Sequence, residues 1–177
     1  MLDLYEKVRN VDGIKKAFIG SGIRYDLFMD AKGFFSRDHA GYFDELVQNH
    51  VSGRLKVAPE HCSLHVLKAM RKPNFDIFVK MKDEFDRINN SKNLRQQIIP
   101  YFISSHPACT ESDMLQLSKT MQQMRFNRLE QVQDFTPTPM TLSSVIFYCG
   151  FDPYTSKKMY VARQKEEKVK QKNYFNL

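Results

Sequence analysis

Cysteine is scarce. Three occur in 177 residues, Cys62, Cys109 and Cys149, and no two lie close in sequence. That spacing argues against a disulfide framework and for a reducing compartment. Long apolar runs are missing too, since nothing approaches the ~18 consecutive apolar residues that cross a bilayer. The N-terminal MLDLYEKVRN carries charges where a signal peptide carries an apolar stretch. A cytoplasmic chain without a membrane partner is therefore expected. There is no GxSxG elbow to present a nucleophilic serine, and no internal repeat or low-complexity stretch to imply a solenoid or a disordered array.

The residues that are present suit an ordinary folded core, with 42% hydrophobic and 27% charged. The net charge of +7 is concentrated near the C-terminus. Seven basic residues (Lys157, Lys158, Arg163, Lys165, Lys168, Lys170 and Lys172) stand against Glu166 and Glu167, a local net of +5 that leaves only +2 elsewhere. Such a run is ordinarily a solvated helix. Electrostatic binding of RNA or another polyanion is the alternative.

Short segments rich in β-formers alternate with longer ones of helical period, the pattern of βα units around a parallel sheet. Strands are expected at Lys16 to Gly20, Leu55 to Ala58, Ile98 to Ile103 and Gln131 to Phe135. Ala40, Phe43, Leu46, Val47 and His50 form one helical stripe, and Phe78, Met81, Phe85 and Ile88 form another. A shorter helix over Ser63 to Arg71 is stopped before Pro73, whose ring disfavours α geometry at Lys72. Thr110 with Asp113 approximates a capping box before the stripe Met114, Leu117, Met121 and Met124, which reads as core filling. Leu2 to Val8 already looks helical, as though a preceding strand were missing. A closed eight-stranded βα barrel takes about 250 residues. The expected fold class is therefore α/β, an incomplete parallel βα barrel of about four units over 1–156, followed by a basic tail over 157–177. An incomplete sheet has an unprotected edge, which predicts self-association or a partner that completes it.

In parallel βα folds ligands sit beyond the carboxyl ends of the strands, so the residues after each strand are the candidates. Gly20-Ser21-Gly22 lets backbone approach a ligand, and Arg24 offers a forked donor for a carboxylate or phosphate. A tight turn with Arg24 paired to an internal acid is the other reading. Lys56, Glu60 and His61 suit a ribose or a carboxylate, although Glu60 and His61 also suit a helix cap. His61, Cys62 and His65 lack a fourth ligand, so no metal site is expected. Ser104, Ser105 and His106 precede the capped helix, whose amides favour an anion. Thr136-Pro137-Thr138-Pro139 is stiff and ends the last strand.

The segments FIGSGIRYD, GRLKVAPEH, VLKAMRKPNFDIF, PYFISSHPACT and EQVQDFTPTPMT, together spanning about Ile14 to Arg163, resemble the YgiQ-type radical S-adenosylmethionine (SAM) family. PACTESDM resembles the turn before the fifth barrel helix of related enzymes, including methylthiotransferases. The resemblance implies that the four expected strands are roughly the third to sixth of a six-stranded partial barrel. It also implies a complete enzyme in which a 4Fe-4S cluster, held by a CxxxCxxC loop, cleaves SAM to a 5′-deoxyadenosyl radical. No such motif occurs in this sequence, so no cluster is expected on this chain, which is expected to be inactive alone.

By the same resemblance, Ser21, Arg24, Lys56 and Glu60 are expected to face SAM or substrate. Ser104, Ser105 and His106 are expected near the adenosine, and the backbone from Gln133 to Thr136 at the adenine edge. The substrate is not implied, and no catalytic residue is assigned. Two competing readings remain. One is a non-catalytic binding or scaffold domain, RNA-associated through its basic tail. The other is a metal-dependent or Ser/His hydrolase, which requires a tight cluster around His61 or His106.

Overall fold

The apolar stripes of the sequence become helix faces turned to a core. In the computed structural model the described residues are 1–30, 32–35, 37–126 and 131–175, and for 37–40 the backbone alone. Helix α1 is Leu2–Arg9, and α2 is Arg37–Asn49, along which Phe43, Leu46 and Val47 are fully buried, with His50 just beyond its end. Strand β1 (Arg54–Glu60) alternates inward Leu55, Val57 and Pro59 with outward Arg54 and Lys56. Helix α3 (Leu64–Ala69) ends as expected before Pro73. Arg71 takes a left-handed φ of 55° there, and Lys72 N donates to Leu67 O. Helix α4 (Phe75–Ser91) buries Phe78, Met81, Phe85 and Ile88.

Strand β2 (Gln97–Ser104) is followed by α5 (Glu111–Gln123), β3 (Val132–Asp134), α6 (Leu142–Cys149) and α7 (Lys165–Asn173). The strands form a three-stranded parallel sheet in the order β1-β2-β3, with Phe102, Ile103 and Ser104 in register with Val132, Gln133 and Asp134. Seven α-helices accompany it among the described residues. None is long and apolar enough to cross a membrane.

The strand expected at Lys16 to Gly20 does not form. Among the described residues this segment reaches its neighbours through Ile19 N donating to His50 O at 2.9 Å. Further on, Ile23 makes one isolated parallel bridge to Val57. The reason is burial: Lys15, Lys16 and Phe18 stay exposed, so no apolar face exists to fix a register. Gly20 and Gly22 add the entropic cost of ordering glycine. Among the described residues three strands, not four, make the sheet.

The chain forms two compact units, Met1–Ala58 with Asp76–Ile99, and Pro59–Phe75 with Pro100–Leu177. In the first, Phe28, Phe35 and Phe43 stack, and Gln96 Nε2 donates to Val47 O and Val51 O, closing carbonyls at the end of α2. In the second, Met114, Leu117 and Met121 of α5 are buried with Val66, Leu67 and Phe102. The capping box is present, with Asp113 Oδ2 accepting from Thr110 N at 2.9 Å and Thr110 Oγ1 accepting from Asp113 N at 3.4 Å. Thr110→Ala is expected to lower the unfolding free energy by about 1 kcal/mol, read by urea denaturation. A change under a few tenths would mean that the helix start is held by other contacts.

Helix α7 contains part of the basic run. It packs on α5 and β3, and its Gln171 is buried.

Candidate functional site

Two residues at strand ends adopt backbone that side chains disfavour. Glu60 closes β1 with a φ of 66°, inside a three-residue turn in which His61 N donates to Pro59 O at 2.8 Å. Ser105 follows β2 with a φ of 59°. Left-handed geometry at a non-glycine residue costs on the order of 1–3 kcal/mol and persists only where surrounding structure enforces it. In the second unit, a cavity of about 370 Å³ opens at these ends. Glu60, Met70, Lys72, Ile103, His106, Gln133, Asp134, Phe135, Thr136, Thr138, Thr141 and Ser143 line it. Four residues expected at strand tips, Glu60, His106, Gln133 and Thr136, thus share one cavity.

Its polar wall is ordered. Lys72 Nζ lies 3.1 Å from Glu60 Oε1. Ser104 Oγ donates to Asp134 Oδ1 at 2.6 Å, and Phe135 N to Ser104 O at 2.8 Å. Thr138 O accepts from Thr141 Oγ1 and Ser144 Oγ, which pins the Thr-Pro-Thr-Pro segment to the start of α6. His106 is 1% exposed, and burial drives its pKa down to about 4. Its Nδ1 lies 2.7 Å from Pro107 O, which can only accept, so the proton sits on Nδ1. Nε2 then accepts from Ser143 Oγ at 2.8 Å. Ser105 Oγ is buried and has no hydrogen-bond partner among the described residues.

The first unit holds the other expected residues. Ser21 and Arg24 line a separate depression of about 630 Å³ with Met1, Tyr5, Ile19, Ile23, Phe28 and Tyr42. Arg24 is paired, its Nε and one terminal nitrogen donating to Asp26 at 2.7 and 2.5 Å. This is the internal-acid reading of that residue. Lys56 is exposed on β1, and its carbonyl accepts from Ile23 N at 3.0 Å.

Behind the 370 Å³ cavity's strand ends lies a buried network. His61 Nδ1 accepts from Cys62 N and Ser63 N, so its proton is on Nε2, which faces Cys109 Sγ at 3.5 Å. Burial lowers the His61 pKa to about 4, and raises the thiols of Cys62 and Cys109 to about 11 and 12. Gln171 Oε1 accepts from Ser105 N at 2.8 Å, and its Nε2 donates to Cys109 O at 2.9 Å. Burial opposes the charge of Asp113. Hydrogen bonds from Thr110 and Ser63 outweigh it and hold the carboxyl below its usual range. His61 is thus a buried residue that holds the turn before α3, whose N-cap Ser63 has no side-chain cap bond.

Chemically, the cavity combines two carboxylates, one ammonium and a neutral imidazole with the apolar surfaces of Met70, Ile103 and Phe135. Its size falls within the usual range for small-molecule sites. The Ser143–His106 pair has the contact of a hydroxyl with a base, but a carbonyl occupies Nδ1 where a hydrolytic triad places a carboxylate. Lys72, Asp134 and Ser143 were not anticipated. Asp134 lies inside the expected last strand. Ser143 follows Thr141, whose side chain accepts from Ser144 N, a cap signal readable as the Thr-Leu-Ser-Ser start of a helix.

No protein-family model matches the chain. Over nearly its whole length it is similar to proteins that are each named only UPF0313 protein. The one from Bacteroides thetaiotaomicron is 53% identical over 177 residues, 99% of this chain and 28% of the relative. That from Porphyromonas gingivalis is 50% identical, with the same coverage. The Methanosarcina mazei protein is 41% identical over 172 residues, 97% of this chain and 26% of the relative. The chain therefore spans little more than a quarter of the length of these curated relatives.

Proposed function

We propose that this chain is a segment of a YgiQ-type UPF0313 protein, that its sheet is part of an incomplete radical SAM barrel, and that the 370 Å³ cavity receives SAM. High identity to UPF0313 proteins over 99% of the chain supports the family. The observation that carries the ligand is the meeting of Glu60, His106, Gln133 and Thr136, from the ends of all three strands, around one cavity.

The residues present fit SAM. Glu60 accepts from the ribose hydroxyls or the amino group, Lys72 takes the carboxylate, and the β3 end offers backbone to the adenine edge. The sequence has no CxxxCxxC loop of the kind that holds a 4Fe-4S cluster in that family, and Cys62, Cys109 and Cys149 are widely spaced along the chain. We assign no cluster ligand to this chain. SAM supplies the family's radical chemistry only together with that cluster. The contribution of these residues is to bind and orient it.

Calorimetric titration of the full chain with SAM tests the reading. Glu60→Gln keeps the shape and removes the charge, and is expected to weaken binding about tenfold, the loss of one charge-assisted hydrogen bond. Absence of binding at millimolar SAM, or equal affinity of the variant, counts against it.

A further inference from the structure

A second surface of the Pro59–Leu177 unit combines exposed rings with cations. Gly150, with a φ of 75°, ends α6 in the left-handed conformation and turns the chain into a short antiparallel loop. Phe151 bridges Lys158 there, Met159 N donates to Gly150 O, and Asp152 N donates to Lys157 O. Asp152 Oδ1 accepts from Tyr154 N and fixes the turn. Arg163 donates to Phe147 O at 2.7 Å and Tyr148 O at 3.0 Å, tying the return strand to the end of α6. Phe151, Lys158, Tyr160 and Arg163 thereby line one open depression of about 690 Å³. Tyr148 and Tyr154 are 70% and 74% exposed.

Large rings left in water on a rigid loop need an explanation that an ordinary solvated helix does not. Cations already sit on one of them, Tyr154, and on the half-buried Phe147 beside them. The Arg71 guanidinium lies 5.0 Å from the Tyr154 ring centre, and Arg163 and Lys168 each lie 5.5 Å from that of Phe147. Positive charge along a backbone track, with rings on which bases stack, is the chemistry of single-stranded nucleic-acid binding. Exposed hydroxyls of Thr155 and Ser156 at the turn suit a 2′-hydroxyl, which selects RNA over DNA.

We propose that this aromatic and basic face, from Tyr148 to Lys170, binds single-stranded RNA. It is distinct from the strand-end cavity and does not depend on SAM binding there.

Fluorescence anisotropy of a labelled oligouridine with the full chain tests it, with oligothymidine, heparin and phosphatidylserine vesicles as comparison arms. Binding to oligouridine that tightens as salt is lowered, and that exceeds binding to oligothymidine, is expected. Tyr148→Ala with Tyr154→Ala is expected to weaken binding by about tenfold or more, since stacking is lost while charge is unchanged. Both side chains are exposed, so an unchanged circular-dichroism unfolding curve confirms that the variant is folded. Lys158→Gln, Lys165→Gln and Lys168→Gln together are expected to lower the slope of log affinity against log salt by about two, at roughly 0.7 per phosphate contact. Equal binding of heparin and oligouridine, with no effect of the tyrosine substitutions, overturns the proposal in favour of a nonspecific polyanion contact. Equal binding of oligothymidine, binding of the vesicles alone, or no binding overturns it as well.

Discussion

Acidification from about pH 7 to about pH 4.5 is expected to destabilise the Pro59–Leu177 unit by several kcal/mol. The cause is two buried imidazoles. His61 and His106 have folded pKa values near 4 against an ordinary 6.5, in both cases because burial penalises the charged ring. Below pH 6.5 the unfolded chain takes up two protons that the fold refuses, so stability falls as pH drops from 6.5 towards 4 and levels off below. Each shift corresponds to about 3 kcal/mol when fully developed. The two sites are not independent, since a charge on His106 further disfavours one on His61. Asp113 acts lower down. Its folded pKa is depressed, so the stability it confers is present above its usual 3.8 and is lost as pH falls further. Urea unfolding at about pH 7, 5.5 and 4.5 reads the effect, and His106→Gln is expected to remove close to half of the slope while still accepting from Ser143. A midpoint that does not move over this range contradicts the buried, neutral assignment of both rings.

The helices were legible because their signals are local. Phe78, Met81, Phe85 and Ile88 recur at helical spacing and all are buried, and the Thr110–Asp113 box marks the start of α5 to the residue. Strands were legible only where burial backs the alternation, as at Leu55 and Val57 or Ile98 and Phe102. Lys16 to Gly20 has the β-formers without the buried face, and sequence alone does not show which face finds a partner. For the cavity, strand-end position identified Glu60, His106, Gln133 and Thr136. Lys72 and Ser143 were hidden because they reach it from a loop and a helix, 12 and 37 residues from their partners, Glu60 and His106. A backbone φ of 66° at Glu60 leaves no trace in residue type either, since glutamate carries no turn signature.

Gln171 is the other place where sequence conceals structure, and Gln171→Leu is expected to cost about 3 kcal/mol. In a run dominated by Lys and Glu it reads as one more solvated polar residue, yet it is 1% exposed. Its Oε1 takes the backbone N–H of Ser105 and the thiol of Cys109, and its Nε2 holds the Cys109 carbonyl. Leucine has similar volume but no amide, so the Ser105 N–H and the Cys109 carbonyl lose their partners in a dry interior, at about 1–3 kcal/mol for each buried group. The C-terminal end of the helix keeps its own ties, Ser118 Oγ donating to Tyr174 O and Tyr174 Oη donating to Glu111 Oε1, so the loss falls on the buried side. Ser105 holds its left-handed φ of 59° against that amide, and it immediately follows Ser104, which bonds Asp134 in the cavity wall. Loss of Gln171 is therefore expected to raise hydrogen exchange at the Ser105 amide more than at amides in the middle of β2, as well as lowering the urea midpoint. A uniform change across β2, or a loss below about 1 kcal/mol, would place the stabilisation in the apolar contacts of α7 instead. The expected result makes the basic helix the backing of a strand end that the cavity needs in a strained conformation.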